Sequence, residues 1–170
     1  MRCLSWNCRG LGNPSAVRAL KKLLKAQCPY IVFLMETRLE IDDKKVKSSL
    51  LCGSLSNFYM IDCNYVNSHR SGGLALIWND SVNLDILHSN ITYIDMYITT
   101  CNNLNNSWFA TGFYESPYYS QKYLTCEAIK DLHHQKNSAP WLIFGDFNLI
   151  LNSSEKLGGG YYIFPTYTNV

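Results

Sequence analysis

Five consecutive apolar residues, Ile31-Val32-Phe33-Leu34-Met35, run directly into Glu36. An unbroken run of that length reads as a strand covered on both faces, and it is far too short to cross a membrane. Trp141–Phe144 repeats the pattern and ends at Gly145-Asp146. The residues before the first run complete a unit. Cys3–Cys8 reads as a short strand stopped by Arg9-Gly10-Leu11-Gly12, and Asn13-Pro14 reads as an N-cap with proline in the first turn. Val17, Leu20, Leu23 and Leu24 then share one helix face opposite the lysines, and Cys28-Pro29 ends the helix. This predicts a β-α-β opening.

A polar helix is predicted from Asp42 to near Gly53. Strands are predicted over Tyr59–Cys63, Leu74–Trp78, Val82–Leu87, Tyr93–Thr100 and Trp108–Tyr114, separated by Asn- and Ser-rich turns. Ser120 can cap a last helix with Leu124, Ala128, Ile129 and Leu132 facing inward, interrupted by Pro140. Nothing periodic follows Leu151. The class is mixed α/β with a largely non-local sheet.

Composition limits the function classes. With 47% hydrophobic and 16% charged residues among 170, disorder is excluded and one domain is expected. The opening residues lack the apolar core of a signal peptide, so an intracellular protein, nuclear or cytoplasmic, is expected. The net charge of +2 is too small to indicate a nucleic-acid partner, but its distribution is uneven. Residues 1–47 carry ten of the fifteen Lys and Arg and four of the thirteen acids. That segment is either a basic face toward phosphate or the solvated sides of two helices. The seven cysteines include no C-x-x-C pair, which disfavours zinc and redox motifs and suits reduced thiols.

Polar groups stand where the buried strands end: Asn7, Glu36, and the pair Asp146 and Asn148. Carboxylates at the ends of apolar strands are costly unless something satisfies them, and strand ends are where α/β sheets hold ligands. Two carboxylates and two amide oxygens form a hard, all-oxygen set suited to Mg²⁺ or Mn²⁺. The plainer alternative has Asn7 and Asn148 capping turns and the two acids solvated in loops.

Other constellations are weaker. Gly10-Leu11-Gly12 between strand and helix imitates a dinucleotide fingerprint, but Ser15 replaces the third glycine and Pro14 removes a backbone donor. His69, His88, His133 and His134 have no metal-ligand spacing, and no G-x-S-x-G is present.

Five segments together resemble a family. Ser5-Trp6-Asn7-Cys8-Arg9-Gly10-Leu11-Gly12, Phe33-Leu34-Met35-Glu36-Thr37-Arg38-Leu39 and Ser71-Gly72-Gly73-Leu74-Ala75 look like successive motifs of the endonuclease/exonuclease/phosphatase superfamily. Thr111-Gly112-Phe113-Tyr114-Glu115-Ser116-Pro117 and Trp141-Leu142-Ile143-Phe144-Gly145-Asp146-Phe147-Asn148 continue the series. The nearest resemblance is to the N-terminal endonuclease of plant LINE-type (non-LTR) retrotransposon polyproteins, and Glu155-Lys156-Leu157-Gly158-Gly159 fits the segment that usually follows there.

The resemblance implies a two-sheet α/β sandwich, DNase I-like, that hydrolyses phosphodiesters of DNA with Mg²⁺ or Mn²⁺. It implies that Glu36 is the principal metal ligand and that Asn7 assists at the metal. Asp146 would orient or deprotonate the attacking water, Asn148 would position it and the phosphate, and both would lie at the metal. Tyr114 would donate to a phosphate oxygen or assist the nucleophile. The superfamily pattern ends in Ser-Asp-His, and no such triplet occurs in this sequence. The expectation is therefore an incomplete domain over residues 1–151 with most of the second sheet missing, followed by an irregular tail over 152–170. Its activity would be impaired, its apolar strand faces exposed and the isolated chain prone to aggregate. The alternative function is a non-catalytic retrotransposon-derived remnant that binds nucleic acid or protein weakly at most.

Overall fold

A computed structural model of the chain describes residues 1–43, 50–100, 103–115, 122–136 and 139–148. Strand β1 (Cys3–Asn7) and strand β2 (Ile31–Met35) are parallel, joined by helix α1 (Pro14–Gln27) as the sequence predicts. Asn13 caps α1 by accepting the Ser15 N–H at 2.9 Å. Cys28, in the left-handed region at φ 45°, closes the other end by donating its N–H to the Leu24 carbonyl.

Strands β3 (Leu55–Ile61) and β6 (Leu74–Asn79) complete the first sheet, in the order β1-β2-β6-β3. Between them β4 (Asn64–Val66) and β5 (His69–Ser71) form a small separate hairpin that the sequence pattern had not revealed. Strands β7 (Val82–Ser89), β8 (Tyr93–Thr100) and β9 (Asn103–Tyr114) run as an antiparallel meander. Helix α2 (Lys122–Gln135) then leads to β10 (Trp141–Asp146), which lies parallel to β9. The second sheet is thus β10-β9-β8-β7.

The two-sheet α/β sandwich is as expected, but the second sheet is fuller than expected. It has four strands among the described residues, as many as the first. Three of them are neighbours in sequence that pair as a meander, and motif order carries no information about that pairing. Of the expected Asp42–Gly53 helix, residues 44–49 lie outside the described residues and only Leu50 of the rest is helical, while the Ser120 cap and the tail after Leu151 lie wholly outside.

Two apolar layers result. Alternate residues of β2 point to opposite sides, as its unbroken apolar run requires. Val32 and Leu34 pack with Leu20 and Leu24 of α1, while Ile31, Phe33 and Met35 face the second sheet. Opposite them lie Ile94, Met96 and Ile98 of β8 and Ala110 of β9. Gly112 of β9 lies directly against Phe33 of β2. A Cβ there would stand 2.6 Å from the Phe33 ring, so the contact requires glycine. On β10, Phe144 meets Phe33 edge-on at 5.8 Å, whereas Leu142 on the same side of the strand is 41% exposed.

Candidate active site

Because β1 and β2 are parallel, and β9 and β10 likewise, all four strands can deliver their last residues to one edge of the sandwich. Asn7, Tyr114 and Asp146 terminate the rows of their strands that face the gap between the sheets. Tyr114 and Asp146 are register partners. Glu36 follows β2 directly.

The segment after β2 is held in an uncommon conformation. Glu36 and Arg38 both have φ of 53°, flanking the fully buried Thr37. Left-handed backbone at two such side chains costs of order 1 kcal/mol or more at each and persists only where the surroundings fix it. Here they do. The Cys8, Gly10 and Leu11 N–H groups donate to the carbonyls of Met35, Glu36 and Thr37, and the Thr37 and Arg38 N–H groups donate to Gly73 and Gly72. Gly73 is itself left-handed, and a Cβ on it would lie 2.6 Å from Thr37 Oγ1. The motif pieces around residues 10, 36 and 72 are therefore one clamp that aims Glu36. The same bonds remove the dinucleotide reading. The Gly10 and Leu11 amides, which would have to cradle pyrophosphate, are committed to the chain.

The side chains then meet. Asn7 Nδ2 donates to Glu36 Oε1 at 2.9 Å and to Asp146 Oδ2 at 3.2 Å. The Tyr114 hydroxyl donates to the same Glu36 Oε1 at 3.0 Å. Arg38 reaches the other oxygen, Oε2, at 3.4 Å. Asn148, left-handed at φ 45°, donates its N–H to Asp146 Oδ1 at 3.1 Å and its side-chain amide to the Glu115 carbonyl at 2.7 Å. All five residues singled out in the sequence are brought together, across as many as 139 positions of chain. Burial, reinforced by the neighbouring Glu36 carboxylate, lifts the Tyr114 hydroxyl well above the ordinary phenol range. Tyr114 is therefore a neutral donor at any working pH.

Two carboxylates converge on one amide nitrogen, with one half-exposed guanidinium as their nearby countercharge among the described residues. Among those residues no three His, Cys, Asp or Glu side chains gather as a ready-made metal cage. An excess of negative charge with oxygen donors fits a hard divalent ion of the Mg²⁺ kind, which is held by one or two carboxylates plus water and substrate oxygens. The four histidines stay on the surface and join nothing here. Arg38 escaped the sequence reading, since a cation two residues after a carboxylate is an ordinary occurrence in a loop. The only signal was its place inside the Glu36 motif.

An α/β sandwich with a polar, strained site at the ends of its parallel strands is the architecture of a large group of phosphoester-cleaving proteins. Residues 4–169 match the model of the endonuclease/exonuclease/phosphatase family, and the chain belongs to that family. Members typically depend on a divalent metal. No curated protein matches the sequence. Among solved structures, the human Nocturnin catalytic domain with bound sulfate superposes with a TM-score of 0.67 at 14% identity, over 88% of this chain and 64% of that one. The endonuclease domain of TRAS1, a telomere-specific non-LTR retrotransposon, gives 0.56 at 12% identity, over 86% and 58%. A Neisseria 3′ phosphatase bound to a product DNA hairpin gives 0.59 at 16% identity, over 91% and 60%. The chain thus spans about three-fifths of the length of these structures, and the likeness at such identities is one of fold. Among the described residues no helix is long and apolar enough to cross a membrane.

Proposed function

We propose that the chain is a divalent-metal-dependent phosphodiester hydrolase acting on DNA, of non-LTR retrotransposon origin and nearest to the plant LINE type. The observation that carries this reading is the meeting of Asn7, Glu36, Tyr114 and Asp146 at one edge of the sandwich, on strands that only the fold brings together. Glu36 would be the principal ligand of Mg²⁺ or Mn²⁺, with Asp146 and Asn148 alongside. Asn7 would assist through Oδ1 once its amide turns from the orientation in which Nδ2 donates to both carboxylates. Bound there, the ion supplies positive charge against the phosphorane-like transition state and the leaving 3′ oxygen. Asp146 orients the attacking water and takes its proton, its carboxylate fixed by Asn7 and by the Asn148 backbone. Asn148 positions that water and the phosphate. Tyr114, kept protonated, donates to a phosphate oxygen without adding a charge that competes for the metal.

A nuclear or cytoplasmic location and a domain over residues 1–151 belong to the same proposal; the tail expected over 152–170 lies outside the described residues. So does poor solubility of the isolated chain, for which the exposed Leu142 on edge strand β10 is the supporting feature. Incubating supercoiled plasmid with the protein and Mg²⁺ or Mn²⁺ tests the activity. Nicked circles are expected, and Glu36→Ala or Asp146→Ala should abolish them. Equal nicking by wild type and both variants would remove the site assignment. No nicking under either metal, with salt-dependent DNA binding, would favour the non-catalytic remnant instead.

A further inference from the structure

We propose that Arg38 is a built-in competitor of the metal for Glu36, released by metal binding to take a phosphate oxygen of the substrate. The proposal rests on the metal-dependent reading above and adds an order of events to it. Arg38 is placed with unusual care for a half-exposed side chain. Its left-handed backbone is tied through its N–H to the Gly72 carbonyl at 3.0 Å. Its own carbonyl accepts from Arg70 Nη1 at 3.4 Å, and Arg70 is anchored in turn by Glu40 at 2.7 Å and Asp43 at 2.8 Å. Its Cδ lies 3.3 Å from the position a Cβ on Gly10 would take, so the stem packs closely over a glycine whose φ of 102° disfavours any side chain there.

What this placement delivers is a weak contact. The guanidinium touches Glu36 through one nitrogen at 3.4 Å, well beyond the roughly 2.7–2.9 Å of a strong charge-assisted bond. The Arg38 side chain is 47% exposed against 20% for Glu36, and exposed pairs of this kind contribute about 0–1 kcal/mol. Asn7 and Tyr114, both on Oε1, already orient the carboxylate, so Arg38 is not needed for that. It covers the outer oxygen, Oε2. A dication arriving at Glu36 meets that guanidinium as a like charge on the same carboxylate, and the more concentrated charge prevails. The displaced guanidinium keeps its clamped backbone and packed stem, so it remains beside the site with its donor fork free for an anion. Metal loading and phosphate binding are thereby coupled through one side chain, and the coupling is reciprocal.

Titrating Mn²⁺ alone into wild type, Arg38→Lys and Arg38→Met by calorimetry tests the competition. Arg38→Met keeps the stem over Gly10 and should bind Mn²⁺ about 3- to 10-fold more tightly, with Arg38→Lys within about twofold of wild type. Binding of a 20-base-pair duplex, followed against salt in Ca²⁺ to suppress cleavage, tests the release. The slope of log affinity against log salt should be shallower by about one for Arg38→Met, and unchanged from wild type when no divalent ion is present. A side chain that only braces Glu36 would instead lower Mn²⁺ affinity on removal and leave the slope alone. Equal or weaker Mn²⁺ binding by Arg38→Met, or equal slopes in Ca²⁺, overturns the role of Arg38. Absence of Mn²⁺ binding in all three proteins overturns the metal site as well.

Discussion

The second sheet contains another carboxylate–cation pair, and its contrast with Glu36 and Arg38 is instructive. Asp95 lies in the middle of β8 on the side away from the first sheet. It accepts from Lys136 Nζ at 2.5 Å and from Thr111 Oγ1 at 2.6 Å, and Thr111 accepts from Trp141 Nε1 at 2.8 Å. The Lys136 ammonium also stands 4.4 Å from the Phe109 ring centroid and 5.8 Å from that of Trp141. The two charged side chains are 0% and 3% exposed. Each charge is met by several partners, and the network ties β8, β9 and β10 to the residue that follows α2. At Glu36 the backbone is strained, the cation is half in solvent and the ion-pair contact is long. A closed network serves the fold, whereas an open one held at a conformational cost can take something from outside.

Breaking the closed pair should give the largest change in stability. Lys136→Met leaves a buried carboxylate without its countercharge and should lower the unfolding free energy by about 3–5 kcal/mol, read by urea denaturation. The double variant Asp95→Leu/Lys136→Met removes both charges and should regain most of that loss. A loss under about 1 kcal/mol for the single variant would mean that water reaches the pair and that the contrast with Glu36 is one of degree.

The contact between the sheets beneath the strand-end site can be disturbed next. Gly112→Ala puts a methyl group against the Phe33 ring at 2.6 Å and should cost about 1–3 kcal/mol as the sheets part. Tyr114 lies two residues further on the same strand face. The variant should therefore lose nicking activity beyond what its stability predicts, measured well below its melting temperature.

Alkaline titration probes the open end through Cys8. Its Sγ donates to the Met35 carbonyl at 3.0 Å, and burial pushes the thiol from 9.0 up to about 11. The folded state thus holds this proton more tightly than the unfolded chain. The stability gained is complete below pH 9.0 and is lost as pH climbs toward 11, by at most about 3 kcal/mol. The urea midpoint should fall over that window, and Cys8→Ala should flatten the fall. An equally steep fall in the variant would assign it to other groups, Tyr114 among them. At neutral pH the exposed Cys28 and Cys126 should be alkylated before Cys8.

What the sequence made legible divides along the same line. Asn7, Glu36, Tyr114, Asp146 and Asn148 were readable because each stands at the end of an apolar run or inside a motif, where a polar residue needs a reason. Apart from the β4–β5 hairpin, strand positions were readable too, within a few residues; β3 and β9 begin at Leu55 and Asn103, earlier than Tyr59 and Trp108, because polar residues can join a ladder whose bonds are all backbone. The assignment of strands to sheets was not readable, since pairing depends on contacts that alternation does not encode. The Asp95 network was missed for a related reason. Asp95 sits between Ile94 and Met96 as any outward residue of an alternating strand would, and only its meeting with Thr111 and with Lys136, just past α2, shows it to be a buried, partnered group. Its partner Lys136 lies 41 positions away with no spacing to announce it.

The smallest expected effect is the sharpest comparison. Glu36→Gln keeps the shape of the side chain and an oxygen to accept from Asn7 and Tyr114, and it removes one of two carboxylates that converge on a single amide. If the site is held together for chemistry rather than for the fold, losing that charge relieves repulsion with Asp146 at the cost of a weak exposed ion pair. Stability should stay level or rise by up to about 1 kcal/mol, while nicking is lost. The matched change in the closed network, Asp95→Asn, strands Lys136 in an apolar surround and should cost about 3 kcal/mol or more. Both substitutions replace a carboxylate with its amide, so side-chain size cannot explain opposite outcomes. A drop of about 2 kcal/mol for Glu36→Gln would make the strand-end cluster a structural network like the other one, with its left-handed backbone serving the fold rather than a ligand.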